Sequence, residues 1–529
     1  FGEEHGLGMN DTGIESVEVI KGPASLLYGS DALGGVLYFN PEKFAKTNTF
    51  NLRFGSSYFS NTKGQKHTAI FKTSSENVNF LASFNQNKHQ DYKTGRGERV
   101  ENSRFNEVDF KTALGFTFDK WNTVFRYNYN QLHIGLPKEN GEEHNYENSF
   151  NLLNPKQKVI GQILSNNTVI FIGKSKLNLD LGFIDNDRQE FEDSETAALN
   201  MKLKTYNYTL RFSLPKMNNI ETIVGIQGMY QNNTNRGEEW LIPNADTRDF
   251  GAFVTSLHTW KKQTLQAGIR YDNRFIEGNE RGVFGEENYF AALNKKFSSF
   301  NASLGYKKSW KSNLVSRINL ATGFRAPNLA ELSSNGIHEG SNRYETGNQD
   351  LKTEQNIQLD INVEYRNPHF ELFVNGFYNH LNHYIYLSPR GTQIDTYNVY
   401  DYTQNNARLY GGEAGVHLHP HPLDWLHITS SFESVTGKQQ NGNYLPLIPA
   451  NRWNSVLKID FKNGNKFKDS YLSFSTEYNL KQNKISSFET PTAAYFLVNI
   501  GAGTQINLGK ATLDIFVNGN NIFDENYIS

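Results

Sequence analysis

The sequence predicts an all-β protein, a transmembrane antiparallel β-barrel of about 22 strands when complete. Three observations predict this fold class. The composition is rich in aromatic residues and poor in proline, apolar and polar side chains alternate along many segments, and the connections between these segments alternate between short and long.

The composition fits a membrane barrel better than a soluble protein of this length. The mean hydropathy of the 529 residues is −0.62, and no stretch approaches the ~18 apolar residues that a membrane-spanning helix requires. Aromatic residues nevertheless reach 13%, and the 43 glycines far outnumber the 14 prolines. Basic and acidic residues nearly balance, at 53 and 55, so no nucleic-acid-binding face is expected. The absence of cysteine excludes disulfides and thiolate metal sites.

From Thr49 onward, apolar residues recur with the two-residue period of a β-strand. In KLNLDLGFI the apolar residues that share one face are Leu177, Leu179, Leu181 and Phe183. Comparable runs occupy 204–212, 264–272, 300–307, 357–366, 453–461, 496–508 and 511–519. About twenty-one such segments are expected, each long enough for the ~9–11 residues of a tilted membrane strand. A soluble propeller would instead show a blade-length repeat, which the sequence lacks.

The connections between these segments alternate in length. Short connections are predicted near Asp119, Lys174, Lys262, Pro368 and Gly509. Long connections are predicted at 133–156, 232–249, 275–297, 325–353, 386–404 and 437–452. Outer-membrane barrels have tight periplasmic turns and long extracellular loops, so this alternation predicts which connections share a rim. Because bacterial barrels have an even number of strands, an odd count predicts that the final strand is missing.

The first 47 residues do not alternate and contain a glycine-rich motif, IESVEVIKGPASLLYGSDALGGVLYFNPEKF, at 14–44. A short strand is expected from Ile14 to Ile20, and Gly22-Pro23 breaks it. Later glycines permit tight turns and close backbone approach. The motif resembles the last segment of the plug domain of TonB-dependent receptors, on the residues Gly22, Pro23, Tyr28, Gly29, Gly34 and Gly35.

Two further motifs extend this resemblance over the whole chain. GFRAPNLAEL at 323–332 and GNQDLKTE at 347–354 resemble the FRAP-type and GN-type boxes of iron and haem receptors, although Gln349 and Thr353 replace the usual prolines. VNGNNIFDENY at 517–527 resembles the penultimate strand of the family.

The resemblance implies an active importer, not an enzyme, in the outer membrane of a Gram-negative bacterium. Residues 1–47 would be the C-terminal part of the plug, inside the barrel lumen, and 48–529 a lipid-embedded barrel. An N-terminal box outside this sequence would contact the energising TonB–ExbB–ExbD complex. We expect a monomer with no resident cofactor. A passive porin is disfavoured by the plug segment, and a glycan importer of the SusC type by the compact loops.

The transported ligand is expected to be an iron complex, siderophore or haem, ahead of free zinc, because both boxes are shared by the whole iron-receptor group. His338 lies between the boxes, and a histidine there resembles haem and zinc importers. Neutral imidazole ligates either metal. Arg325, Arg343 and Tyr344 are the alternative set, for an anionic siderophore, because guanidinium groups bind carboxylate or catecholate oxygens.

On the plug side, Glu4 and His5 are candidate metal ligands, because this part of the plug approaches the outer cavity in the family. Two other histidine groups are disfavoured. The loop containing His133, Glu142, Glu143 and His144 is better explained as a hydrated loop. The segment VHLHPHPLDWLH contains His417, His419, His421 and His427. The loop alternation places it at a periplasmic turn, where an interfacial belt around Trp425 is the favoured interpretation.

Overall fold

The structure, a computed structural model, describes residues 10–20, 26–29, 31–137, 149–286, 288–338 and 341–528. These residues form twenty-five strands and one short helix. In chain order, the elements are β1 (Ile14–Ile20), β2 (Val36–Pro41), β3 (Thr49–Phe59), β4 (Gly64–Ser74), β5 (Val78–His89), β6 (Phe105–Thr117), β7 (Trp121–Gly135), β8 (Lys156–Ile172), β9 (Ser175–Phe191), β10 (Leu199–Ser213), β11 (Ile220–Asn235), β12 (Ala245–Trp260), β13 (Gln263–Gly278), β14 (Leu293–Lys311), β15 (Leu314–Arg325), α1 (Leu329–Ser333), β16 (Asn335–His338), β17 (Arg343–Thr346), β18 (Glu354–Arg366), β19 (Phe370–Ile394), β20 (Tyr397–Leu418), β21 (Leu426–Gln439), β22 (Arg452–Asp460), β23 (Phe467–Asn479), β24 (Tyr495–Asn507) and β25 (Thr512–Gly519).

One antiparallel barrel contains β3–β15 and β18–β25, which are twenty-one of the described strands, so the predicted fold class is confirmed. Alternation creates its two faces. On β18, Ile357 and Ile361 are 51% and 49% exposed on the lipid side, whereas Asn356 is buried on the lumen side. Within the described residues, no helix is long and apolar enough to cross a membrane.

The connections confirm the predicted two rims. Turns of two or three residues join β6 to β7, β8 to β9, β12 to β13 and β18 to β19, at the positions expected from the sequence. The described residues of the longer connections 136–155, 236–244, 279–292, 326–353 and 440–451 lie at the other rim, which by this alternation is extracellular.

The predicted long loop at 386–404 is wrong. Strands β19 and β20 continue through it and are joined by only two residues, 395 and 396. The extension is stabilised laterally, because β17 pairs with β20 in parallel, from Arg343↔Asn398 to Thr346↔Asp401. Pro389 and Gly391 lie at a register shift between Pro389 and Gln393.

Strands β1 and β2 form a separate antiparallel sheet, and β1 covers the predicted strand from Ile14 to Ile20. The chain then enters the barrel at Thr49, where β3 begins. The boundary between residues 47 and 48 stays a prediction. At the two ends of the barrel sheet, β3 pairs with β4 and β25 pairs with β24, and both end strands are exposed along nearly their whole length. The missing final strand likewise stays a prediction.

Candidate functional site at the outer rim

The two central boxes meet in an ion cluster around Arg325, the last residue of β15. Its Nη1 donates to Glu331 Oε1 at 2.8 Å, and its Nε donates to Glu354 Oε2 at 2.6 Å. Glu331 is buried and caps α1, because its carboxylate accepts from the Asn328 N–H while the Asn328 side chain accepts from the Glu331 N–H. Arg325 therefore joins the FRAP-type box, the helix after it and the end of the GN-type box.

Glu354 also accepts from the Ile385 N–H, which ties this ion cluster to β19. Burial raises the pKa of Glu331, and the positive charge of Arg325 opposes this shift. Two buried carboxylates around one guanidinium are stable only while that cation is present. We call Arg325, Glu331 and Glu354 the Arg325 clamp.

Beyond the clamp, β16 and β17 form a hairpin in the loop between the boxes, with His338 paired with Arg343. Glu345 is the centre of its polar contacts. Its Oε1 lies 2.9 Å from His338 Nδ1 and accepts from Arg343 Nε at 2.9 Å. Its Oε2 accepts from the Tyr402 hydroxyl at 2.9 Å. Since Tyr402 belongs to β20, the hairpin is tied to the extended β19–β20 pair.

This hairpin network is closed to solvent: His338 is 8% and Glu345 is 2% exposed. Burial by itself would raise the pKa of Glu345, but His338 and Arg343 outweigh that effect and lower the pKa to about 2. Tyr344 is also buried and donates to Asn335 Oδ1 at 2.9 Å. The hairpin thus brings three predicted ligand residues together, but within an internal network.

The plug segment lies directly beneath the clamp. Asn356, two residues after Glu354, donates its amide to the Leu33 carbonyl at 3.2 Å. Gly323 of the FRAP-type box faces the same point, since a Cβ built there would lie 3.5 Å from Leu33 Cδ1. Leu33 also packs against the cluster of Leu381, Ala407 and Leu445.

Other plug contacts with the barrel wall are mostly polar. Arg274 Nη2 of β13 forms an ion pair with Asp31 at 2.8 Å and with Asp249 at 2.6 Å. Further contacts are Arg270 Nη1 to the Leu26 carbonyl at 3.3 Å, Gln227 Nε2 to the Tyr28 carbonyl at 3.2 Å and Lys111 Nζ to the Asn10 carbonyl at 2.8 Å. The polar groups of such an interface can exchange their partners for water.

Among the predicted plug residues, Gly35 has a clear structural reason. Its φ is +134°, and a Cβ there would lie 2.8 Å from the Ile20 carbonyl oxygen. Gly29 also has a positive φ, of +121°, beside Gln227, while a Cβ on Gly34 would meet no atom. Tyr28 is partly buried. Glu4, His5, Gly22 and Pro23 lie outside the described residues, as do Glu142, Glu143 and His144.

Sequence reasoning missed the carboxylates that organise the outer rim. Glu331 carried a signal, because an asparagine three residues before a glutamate is a capping-box pattern. Glu345 carried none, since its partner Tyr402 lies far away in the sequence. Another carboxyl group that sequence reasoning missed is Glu192, in the loop after β9, whose pKa is raised to about 7 by burial and the nearby charge of Glu239.

The family can be decided from the match of two family models to this chain. The model for the TonB-dependent receptor-like β-barrel matches residues 25–522. The chain belongs to the TonB-dependent receptor family. The model for the plug domain of these receptors matches residues 3–36. Members are transporters of the Gram-negative outer membrane rather than enzymes, and TonB supplies their energy.

Solved structures similar to this receptor share its fold at low sequence identity. The copper transporter OprC is 15% identical, with a TM-score of 0.79 over 98% of this chain and 83% of its own. The FrpB iron transporter from Neisseria meningitidis is 16% identical, with a TM-score of 0.76 over 97% and 84%. The Serratia marcescens hemophore receptor HasR, in a complex with its hemophore and heme, is 12% identical, with a TM-score of 0.77 over 98% and 84%.

Proposed function

We propose that this receptor imports an iron complex, a ferric siderophore or haem, across the outer membrane. The observation that carries the proposal is the path from the Arg325 clamp to the plug. Within the clamp, Arg325 forms an ion pair with Glu354 of β18. Asn356 on the same strand contacts the plug at Leu33. A cargo bound at the hairpin and the plug together would lose contacts when the plug is pulled, which switches affinity.

His338 and Arg343 are the proposed barrel-side ligands. Metal-binding imidazoles are usually oriented by a carboxylate on their second nitrogen, and Glu345 stands 2.9 Å from His338 Nδ1. This contact supports haem as the cargo. Arg343, with Tyr344 and Arg325, supports an anionic siderophore instead. Glu4 and His5 remain the proposed plug-side ligands.

Because His338, Tyr344 and Glu345 are buried, a cargo would have to open the hairpin to reach them. The names of the similar structures, which mention copper, iron and heme, support a metal-containing cargo. Free zinc is the second candidate, because an imidazole beside a carboxylate also suits that ion. We further propose that the receptor acts as a monomer with the TonB–ExbB–ExbD complex and has no resident cofactor.

Growth of a deletion strain tests the cargo. The strain, with or without the full-length gene, is grown on haem, on a ferric siderophore or at limiting zinc as the only source. We expect gene-dependent growth on one iron source. Gene-dependent growth at limiting zinc alone would replace the iron proposal by the zinc alternative.

Two variants then test the site. His338→Gln should abolish growth on haem or zinc but leave growth on a ferric siderophore unchanged. Arg343→Gln should abolish growth on a ferric siderophore but leave growth on haem or zinc unchanged. Arg390→Gln is the matched control, because Arg390 forms an exposed ion pair with Asp401 on the neighbouring β19–β20 extension. If neither variant differs from this control on any source, the assigned site is wrong although the fold stands.

A further inference from the structure

Histidine and aspartate side chains gather at the periplasmic rim, far from the outer hairpin. They come from the turn between β18 and β19, from the connection between β20 and β21, and from the adjoining strand ends. The members are His369, His417, His419, His421, His427, Asp424 and Asp460. We call this group the inner histidine cluster.

Three members are placed to share one metal ion. Ligand atoms of His369, His419 and Asp424 all lie within 4.8 Å of one another. His369 Nδ1 is 3.7 Å from Asp424 Oδ1, and His421 Nδ1 is 3.4 Å from Asp424 Oδ2. In the described part of the chain, no other three histidine or acidic side chains satisfy this ligand-atom distance.

The barrel register brings these residues together. Phe370 pairs with Leu418, so the residues just beyond them, His369 and His419, lie side by side below the sheet. The His419 N–H donates to the His369 carbonyl at 3.0 Å, which holds the two backbones in place. Their rings are 5.7 Å apart between centroids.

A second imidazole pair adjoins this triad. His417 Nε2 lies 3.2 Å from His427 Nδ1, and His427 Nε2 lies 3.2 Å from Asp460 Oδ2. The ring of His419 lies 5.3 Å from that of His417 and 5.4 Å from that of His427. These two imidazoles therefore extend the group of nitrogen donors around the triad, and imidazole nitrogen is a common metal ligand.

The ligand chemistry selects a class of ion. Imidazole with one carboxylate suits zinc, copper and nickel, whereas calcium and magnesium prefer sites built from oxygen alone. Zn–N bonds are ~2.0–2.1 Å, so the triad must contract by rotation of its side chains. His369 and Asp424 are exposed, and their rotation is not opposed by tight packing.

We propose that the receptor binds one divalent transition-metal ion at its periplasmic rim through His369, His419 and Asp424. His421 is the nearest fourth ligand. The ion would join the β18–β19 turn to the β20–β21 connection. This site lies at the opposite rim from the proposed cargo site and does not depend on which cargo is imported.

Metal binding to the full-length receptor tests the proposal directly. The protein is purified in detergent without a histidine tag, and binding of Zn²⁺ alone is measured by equilibrium dialysis. We expect one ion per chain and at least tenfold weaker binding in the His369→Gln and Asp424→Asn variants. Ca²⁺ should not compete. The matched control is His67→Gln, an exposed histidine near the extracellular end of β4.

The outcomes separate cleanly. No stoichiometric Zn²⁺ binding, or equal binding by wild type, His369→Gln and Asp424→Asn, overturns the site. A loss of the same size in His67→Gln overturns it as well, because that histidine is remote. Heat-modifiable migration on gels confirms that each variant barrel is folded. Growth on iron or zinc sources is scored separately, so failure of the cargo proposal leaves this result intact.

Discussion

Two regions of this receptor pair histidine with carboxylate, and they do so in opposite ways. At the outer rim, His338 and Glu345 are buried and lie 2.9 Å apart, with Arg343 on the same carboxylate. At the periplasmic, or inner, rim, His369 and Asp424 are exposed, and His369 Nδ1 lies 3.7 Å from Asp424 Oδ1. Asp424 contacts the imidazoles of His369 and His421.

The difference shows that neighbours, more than residue type, decide what a histidine can do. A guanidinium already neutralises Glu345, so a metal ion arriving there must compete with a fixed cation. Asp424 lies instead beside the imidazoles of His369 and His421, which can bind a metal ion themselves. The outer group is therefore a structural network that the proposed cargo would have to open, whereas the inner group is exposed.

Removing the guanidinium of the Arg325 clamp should have the largest effect. Arg325→Ala would leave the buried carboxylates of Glu331 and Glu354 without their cation, at about 3–5 kcal/mol. We expect the loop 326–353 to become sensitive to protease added to intact cells. Arg366→Ala, which removes an exposed inner-rim pair with Glu371, should cost at most about 1 kcal/mol. Equal protease resistance of both variants would contradict the clamp.

A smaller loss of stability is expected when only the charge of the Glu345 carboxylate in the hairpin is removed. Glu345→Gln keeps the shape but weakens the contacts with His338, Arg343 and Tyr402, at about 1–3 kcal/mol. Faster amide hydrogen exchange in β16 and β17, with no change in the barrel strands, is the expected result. Unchanged exchange would mean that Glu345 does not hold the hairpin.

Acid should destabilise the hairpin, as Glu345→Gln does. The pKa of Glu345 is lowered to about 2 from an ordinary value of 4.5, so its ionised form stabilises the folded hairpin above about pH 4.5. That contribution is lost as the pH falls toward 2. The groups facing Glu345 are His338, Arg343 and Tyr402. Protection of the β16 and β17 amides, relative to their intrinsic exchange rates, should be lower at pH 3 than at pH 5 in the wild type. This difference should be much smaller in Glu345→Gln.

The smallest effect is expected at the inner rim. Without metal, His369→Gln should change the stability of the receptor by no more than about 0.5 kcal/mol, because this side chain is exposed. Thermal unfolding in detergent with a chelator measures it. A large destabilisation would show that the inner cluster is a structural network like the outer one, which would remove the contrast between the rims.

Much of the fold could be predicted because its signal is local. Alternation along each strand is visible within about ten residues, and all five short turns, from Asp119 to Gly509, lie where the sequence indicated. The error at 386–404 concerns the extended ends of β19 and β20. The pairing of β17 with β20, which extends those strands, is a contact between distant segments.

The sequence by itself determined the strand segments, the two rims, the plug motif and the boxes that indicate the family. Only the tertiary structure decided how side chains from distant segments combine. It enclosed His338 around Glu345 and Tyr402, and it placed His369 beside His419, which the sequence had set aside as part of an interfacial belt. The reason is physical: strand period is a property of neighbouring residues, whereas burial and ligand geometry depend on the register between strands.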